Sequence, residues 1–186
     1  EEVMTIYNSL IAKGEFNQAL LCAFMYDSCS RRNEAFQVKR YDISLDGNIC
    51  KTPVRGKRGK VYRPIYNDLT KKAYKLLEES RTDDSDALWL TRSGSPASYE
   101  SLYAWVTSWR KILFEETGVE KEFNPHSFRH SCANNLENGT HYICKKSGKK
   151  FELMQIQKLM NHSDLSTTQS YLEDRTEDEL LEAFCM

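Results

Sequence analysis

The chain has 186 residues, of which 40% are hydrophobic and 28% are charged, the composition of an ordinary globular domain with a core of its own. Its net charge of −1 gives no overall indication of nucleic-acid binding, and no apolar run approaches the roughly 20 residues of a membrane span. The six cysteines form no CxxC pair, which excludes a typical zinc site and favours reduced, mostly buried thiols in a cytoplasmic protein.

Charge is distributed unevenly along the chain. Residues 51–75 contain nine basic residues and one acidic residue, Asp68, whereas residues 173–182 contain six acidic residues and one basic residue, Arg175. A local basic patch can bind phosphate even when the total charge is nearly neutral. A solvated face is the ordinary explanation of a charge run, so phosphate binding needs support from other residues.

The first 40 residues predict three helices. Apolar residues recur at helical spacing over residues 2–13 and 16–29, so two helices are expected to pack on each other. Ser30 is a suitable N-cap for a third helix, and Glu34 stands near a capping-box position. The start of this helix offers free N–H groups to an anion, and its two arginines are interpreted either as phosphate ligands or as a surface pair.

Residues 41–66 predict a small antiparallel sheet of about three strands. Alternating residues are interrupted by a turn signal at Asp46-Gly47 and by a basic, glycine-rich stretch at residues 55–60. We expect that stretch to form a flexible hairpin tip. A lysine on such a tip can reach into a neighbouring site and donate a proton.

Helical spacing returns in the next part of the chain. Asn67 and Asp68 cap a helix that ends near Glu79, and a later helix carries Trp105 and Trp109 on one face. Tryptophans at this spacing are expected in the core rather than as a platform for stacked bases. The predicted fold class is therefore mainly α with a small antiparallel β-sheet (α+β).

A further helix is expected to begin with Pro125 at its first position and to end at Gly139. Because His126 and Arg129 are three residues apart, they are predicted to share a face of this helix. Residues 140–150 have the character of an inserted basic loop or hairpin.

The last part of the chain predicts a helix through residues 153–160, with His162 at its end, and a short helix that carries Tyr171. Residues 172–186 predict an amphipathic tail helix with an apolar edge.

Six side chains are candidates for one phosphate-handling site: Arg31, Arg129, His126, His162, Tyr171 and a hairpin lysine. A guanidinium can donate two hydrogen bonds to non-bridging phosphate oxygens and stabilise the charge of a pentacoordinate transition state. A tyrosine can attack phosphorus and hold a covalent intermediate, while imidazoles and an ammonium move protons. The sequence has neither a carboxylate cluster for Mg²⁺ nor a P-loop, so we expect no metal and no cofactor.

The order of these residues resembles the tyrosine recombinase (phage integrase) family. The resemblance is carried by His126-Ser-Phe-Arg129-His130, then Leu159-Met-Asn-His162, then Tyr171 nine residues later. It extends to Ser30-Arg31-Arg32-Asn33-Glu34 and to the hairpin with Gly56-Lys57 and Pro64. The match covers nearly all of residues 1–186, as a single catalytic domain, and implies that N-terminal DNA-binding domains are missing from this chain.

The resemblance implies a role for each residue. Tyr171 is the nucleophile that forms a 3′-phosphotyrosyl bond, and Arg31 and Arg129 clamp the scissile phosphate. Lys57 is the acid for the 5′-hydroxyl leaving group, although Lys51 and Lys60 stay open as alternatives. The remaining implied roles are proton transfer by His126, a phosphate contact by His162, support by Glu34 and His130, and DNA contacts by Arg32, Lys51, Arg55, Arg58 and Lys60.

Function and partners follow from the same resemblance. We expect a recombinase or integrase of a mobile element that acts on double-stranded DNA as a homotetramer, with accessory DNA-bending proteins as further partners. The tail, residues 172–186, docks either on a neighbouring subunit or on its own domain. A type IB topoisomerase-like enzyme and a catalytically inactive DNA-binding protein remain alternatives.

Overall fold

The computed structural model describes residues 1–160 together with Leu181 and Phe184. These residues form eight α-helices and one two-stranded sheet, which confirms the predicted fold class. The helices are α1 (Glu2–Ala12), α2 (Phe16–Ser28), α3 (Arg32–Gln37), α4 (Asp68–Ser80), α5 (Tyr99–Thr117), α6 (Pro125–Asn138), α7 (Tyr142–Ser147) and α8 (Leu153–Leu159), and the strands are β1 (Val54–Arg55) and β2 (Val61–Tyr62). No helix in this described part has the length and apolar character needed to cross a membrane.

Helix α2 lies at the centre of the fold. Every residue from Ala19 to Ser28 is buried, and α1, α4, α5 and α6 all contact this helix. The helix is apolar around most of its circumference because it is surrounded by other helices rather than by solvent. Trp109 is buried in the same core and Trp105 is partly buried against it, as predicted for these two residues, and Trp89 is buried there as well.

The predicted sheet of about three strands is wrong in its extent. Among the residues that the structure describes, only β1 and β2 form a ladder, with Val54 opposite Tyr62. Residues 40–42 form a 3₁₀ turn instead of a strand, because the Asp42 carboxylate accepts hydrogen bonds from the backbone N–H groups of Lys39 and Thr52. Such local side-chain hydrogen bonds compete with strand pairing.

The predicted loop or hairpin at residues 140–150 contains helix α7. Gly139 ends α6 with a φ of +76°, a conformation that glycine adopts readily, and the chain then turns into the new helix. The imidazole Nδ1 of His141 caps α7 by accepting from the N–H of Ile143 at 3.3 Å. Tyr142 donates to the buried Asp27 at 2.6 Å, which fixes α7 to the end of α2.

The expectation that all cysteines are reduced is wrong for one pair. Cys29, directly after α2, forms a disulfide with Cys132 in α6, and their Cα atoms are 6.0 Å apart, an ordinary separation for a disulfide. Spacing in the sequence could not indicate this pair, because 103 residues separate the two cysteines and only helix packing brings them together. Cys22, Cys50 and Cys144 are free and buried.

Two tail residues lie against the body of the same chain. Phe184 is completely buried, its ring centroid lies 5.6 Å from that of Phe151, and its carbonyl accepts a hydrogen bond from the side chain of Asn67. Leu181 is partly buried on the same core. The apolar edge predicted for the tail therefore packs, at these two positions, on its own subunit.

Candidate active site

The carboxylate of Glu34, in the first turn of α3, is the centre of the candidate site. Its side chain is only 1% exposed, yet four donors surround it. Oε2 accepts from the Arg31 backbone N–H (2.7 Å), from the Tyr62 hydroxyl (2.9 Å) and from Arg129 Nη1 (3.4 Å), and Oε1 accepts from Arg31 Nη1 (3.0 Å). A buried charge is tolerated because it is paired and hydrogen-bonded in this way.

Arg129 approaches Glu34 from α6. Its side chain is 2% exposed, and Nη2 donates to the carbonyl of Met160 at 2.5 Å. Burial and the nearby Arg31 lower the pKa of Arg129 to about 10, while Glu34 acts against that shift, so the guanidinium remains charged at neutral pH. Among the described residues, Glu34 and Met160 accept from two of its five N–H donors, so further donors can bind an anion.

Arg31 reaches the same carboxylate from the N-terminus of α3. The predicted N-cap, Ser30, is wrong by one residue, because the N-cap is Arg31 and its N–H is bound by Glu34. The chain is extended at Arg31, and 29% of its side chain is exposed. One guanidinium of the pair is thus accessible and the other lies beneath the surface, with Glu34 between them.

His126 and His130 lie one turn apart at the start of α6, and both are exposed. Their Nε2 atoms are 2.9 Å apart, so one ring donates a hydrogen bond to the other. Partial desolvation of the ring by its neighbours, and then the electrostatic effects of His130, Arg129 and Arg31, lower the pKa of His126. This shift favours the neutral imidazole of His126, the form that can accept a proton.

The hairpin between β1 and β2 carries the candidate lysine. Its tip is closed by a hydrogen bond from Gly56 N–H to the Lys60 carbonyl at 2.7 Å. Within the described part of the chain, the predicted DNA contacts of the hairpin are all exposed and none forms an ion pair: Lys51, Arg55, Lys57, Arg58 and Lys60. The assignment of Lys57 as the acid stays a prediction.

Two residues that sequence reasoning missed attach this hairpin to α3. Tyr62 on β2 donates to Glu34, and the side chain of Gln37 pairs with the backbone of Arg55 as a neighbouring strand would. Gln37 Oε1 accepts from the Arg55 N–H at 2.8 Å, and its Nε2 donates to the Arg55 carbonyl at 2.9 Å. The signal available in the sequence was the spacing of Glu34 and Gln37, which places both on one face of α3.

Arg32 does not join Arg31 at the carboxylate. Its guanidinium carbon lies 3.7 Å above the ring of Tyr99 and 5.2 Å from the ring centroid of Tyr103, both on α5. This cation–π stack holds Arg32 away from the arginine pair. Its predicted contact with DNA stays a prediction.

His162 and Tyr171, the remaining predicted site residues, lie outside the described residues. Met160, which binds Arg129, stands two positions before His162 in the sequence. The structure therefore brings together Arg31, Glu34, Arg129 and the hairpin strand, and it places His126 at the N-terminus of the helix that carries Arg129.

Comparisons of sequence find a matching family and several relatives of this chain. The model of the phage integrase family matches residues 1–178. A tyrosine recombinase XerD of Listeria monocytogenes is 26% identical over 178 residues, covering 92% of this chain and 54% of the relative. A tyrosine recombinase XerC of Lactobacillus leichmannii is 29% identical over 164 residues, covering 83% and 49%. The chain spans about half the length of these curated relatives.

Solved structures share the fold. The crystal structure of XerA recombinase superposes with a TM-score of 0.66 at 22% identity, covering 97% of this chain and 62% of the other. The XerH site-specific recombinase bound to its difH substrate, a pre-cleavage complex, gives a TM-score of 0.60 at 19% identity, covering 94% and 51%. At these identities the likeness concerns the fold alone.

Proposed function

Because this chain belongs to the phage integrase family, we propose that it is the catalytic part of a site-specific DNA recombinase that works through a 3′-phosphotyrosyl intermediate. The observation that carries the proposal is the arginine pair on one carboxylate. Arg31 and Arg129 come from elements far apart in the sequence, and each donates to a different oxygen of Glu34.

This arrangement suits a phosphodiester. Glu34 neutralises part of the charge of the two guanidiniums and fixes their orientation before DNA binds. Their remaining N–H donors bind non-bridging phosphate oxygens, which gain negative charge as phosphorus becomes pentacoordinate. The arginine pair therefore stabilises the transition state more than it stabilises bound DNA.

The covalent step is a transfer of the phosphoryl group to Tyr171. The phenol oxygen attacks phosphorus and the bond to the 5′ oxygen breaks, while the neutral His126 imidazole takes the phenol proton. Lys57 gives a proton to the departing 5′ oxygen, and His162 hydrogen-bonds the phosphate. Attack by another 5′-hydroxyl reverses these steps and joins the strands without ATP.

We propose the substrate, the assembly and the cellular location together with this chemistry. The substrate is double-stranded DNA, the active assembly is a homotetramer on DNA, and accessory DNA-bending proteins assist it. Residues 1–186 act as one catalytic domain of a cytoplasmic enzyme that serves a mobile element. The tail, residues 172–186, is the segment by which neighbouring subunits contact each other, and release of Phe184 from its own subunit precedes that contact.

Family membership does not favour the two alternatives that the sequence left open, a topoisomerase-like nicking enzyme and an inactive DNA-binding protein. Relaxation of a supercoiled plasmid by the protein at any sequence would favour the first. Binding without a covalent adduct would favour the second.

The test uses nicked duplex oligonucleotides with a randomised sequence. The nick lets the cleaved fragment diffuse away, so that a covalent protein–DNA adduct accumulates and is detected on a denaturing gel. We expect an adduct with the full-length wild type and none with Tyr171→Phe. If the wild type binds the duplex but forms no covalent adduct, the proposed function is wrong.

A second pair of variants tests the arginines. Arg31→Ala is expected to slow adduct formation by about a thousandfold, because it removes a transition-state contact. Its affinity for DNA falls only modestly, since most affinity comes from other phosphate contacts. Arg92→Ala, at an exposed arginine that pairs with Glu15, is the matched control and should cleave normally.

A further inference from the structure

Three donors share one oxygen of Glu34, and one of them differs from the others in origin. The Arg31 N–H and Arg129 Nη1 belong to the arginine pair, whereas the Tyr62 hydroxyl belongs to the hairpin. Burial and the adjacent carboxylate of Glu34 raise the pKa of Tyr62 far above neutrality, so the phenol keeps its proton and donates. The hairpin therefore reaches the centre of the site through one hydrogen bond, from the neutral Tyr62 phenol to the Glu34 carboxylate.

The hairpin is attached to α3 at two points about one helical turn apart. Gln37 holds the backbone of β1 through Arg55, and Glu34 holds the side chain of Tyr62 on β2. Val54 and Tyr62 are directly opposite in the ladder, so a shift of β2 moves both strands. The exposed tip with Lys57 extends from these strands with its own internal hydrogen bond at Gly56.

We propose that Tyr62 is a positioning residue that couples the lysine-bearing hairpin to the arginine pair through Glu34. The arginine pair and the hairpin then adopt their catalytic geometry together. Loss of the hydroxyl leaves Glu34 Oε2 with the two arginine donors alone, and the carboxylate is free to move toward them. The orientation of both guanidiniums and the position of the hairpin relative to α3 then change together. The inference rests on the proposed function of the same site.

The substitution that tests it is Tyr62→Phe, which removes the hydroxyl and keeps the ring. We expect adduct formation on the nicked duplex to slow by about tenfold to a hundredfold, the range for one hydrogen bond to a charged group. Affinity for the duplex should stay within about twofold, because the contact orients groups that act in the transition state.

Tyr74→Phe is the matched control for the loss of one buried hydroxyl. The Tyr74 hydroxyl donates to the Arg40 carbonyl at 2.9 Å, outside the site. This variant is expected to lose stability comparable to that lost by Tyr62→Phe and to cleave at the wild-type rate. If Tyr74→Phe slows cleavage as much as Tyr62→Phe does, loss of stability explains both and the positioning role is refuted.

A double mutant separates coupling from an independent effect. In a Glu34→Gln background, Tyr62→Phe should add little further loss of rate, because the two residues act through one contact. If the rate loss of the double mutant equals the product of the two single-mutant losses, the inference is contradicted. A Tyr62→Phe enzyme that forms the adduct as fast as the wild type would also contradict the inference. If the wild type itself forms no adduct, the result counts against the proposed function instead.

Discussion

Glu34 Oε2 and Arg129 Nη1 lie 3.4 Å apart, and the two side chains are only 1% and 2% exposed. Removing one partner of such a buried pair leaves the other charge without compensation. We therefore predict that Glu34→Ala lowers the free energy of unfolding by about 3–5 kcal/mol, measured by urea denaturation. Glu78→Ala, which breaks a more exposed pair with Arg40, should cost about 1 kcal/mol. Equal losses from both variants would show that burial of the first pair is unimportant.

His141 makes stability depend on pH. Its Nδ1 accepts from Ile143 and its Nε2 donates to the Tyr26 carbonyl, so the buried ring is neutral, and burial lowers its pKa to about 4. The unfolded chain therefore binds the proton first, and stability is lost as pH falls from about 6.5 toward 4. We predict a loss of about 3 kcal/mol over that window, measured by denaturation at several pH values.

The control for that pH dependence is His141→Asn, which keeps an N-cap and cannot titrate. Its stability should vary less between pH 6.5 and pH 4 than that of the wild type. Asp27 acts in the opposite direction, because burial raises its pKa to about 6 and the folded state holds its proton more tightly. Asp27→Asn therefore steepens the acid loss, and an unchanged slope in His141→Asn would contradict the assignment.

The disulfide between Cys29 and Cys132 closes a loop with a sequence separation of 103 residues. A cross-link over that length stabilises a fold by roughly 2–5 kcal/mol, mainly by restricting the unfolded chain. We predict that a reducing agent lowers the urea midpoint of the wild type. Cys132→Ser should show the loss without the reductant and no further loss with it, while Cys22→Ala should respond as the wild type does. A midpoint insensitive to reductant would refute the prediction.

Phe184 ties the end of the chain to its own subunit. Because its side chain is fully buried against Phe151, Phe184→Ala is predicted to cost about 3 kcal/mol of unfolding free energy. Leu153→Ala, at a position 59% exposed, is the control and should cost little. Urea denaturation at low protein concentration, where subunits are apart, provides the measurement. A loss that appears only at high concentration would show that Phe184 docks on a neighbour instead.

The helices and the arginine segments could be predicted from the sequence, because helical periodicity and capping signals act within a few residues. Pro125 at the first position of α6 and Gly139 after its end define that helix without tertiary information. The same locality explains why Glu34 was recognised, since its capping contact lies three residues away at Arg31.

The contacts that organise the site could not be predicted in this way. Tyr62 and Glu34 are 28 positions apart, and nothing in β-strand alternation indicates which inward side chain meets a carboxylate. The third strand was predicted from alternation at residues 41–45, whereas the Asp42 carboxylate favours a turn there. His126 and Arg129 were expected on one face, but Arg129 is long enough to enter the interior while His126 remains outside.

Helix α6 places the candidate site and helix α7 at its opposite ends. Its 14 residues span about 20 Å, with His126 and Arg129 near one end and Gly139 and helix α7 beyond the other. The Tyr142 hydroxyl connects α7 to Asp27 in α2 and to the Leu69 N–H in α4, at the opposite end of α6 from His126 and Arg129. The far end of α6 is thus fixed to α2 through α7, and one continuous helix links that anchor to the turn that carries Arg129.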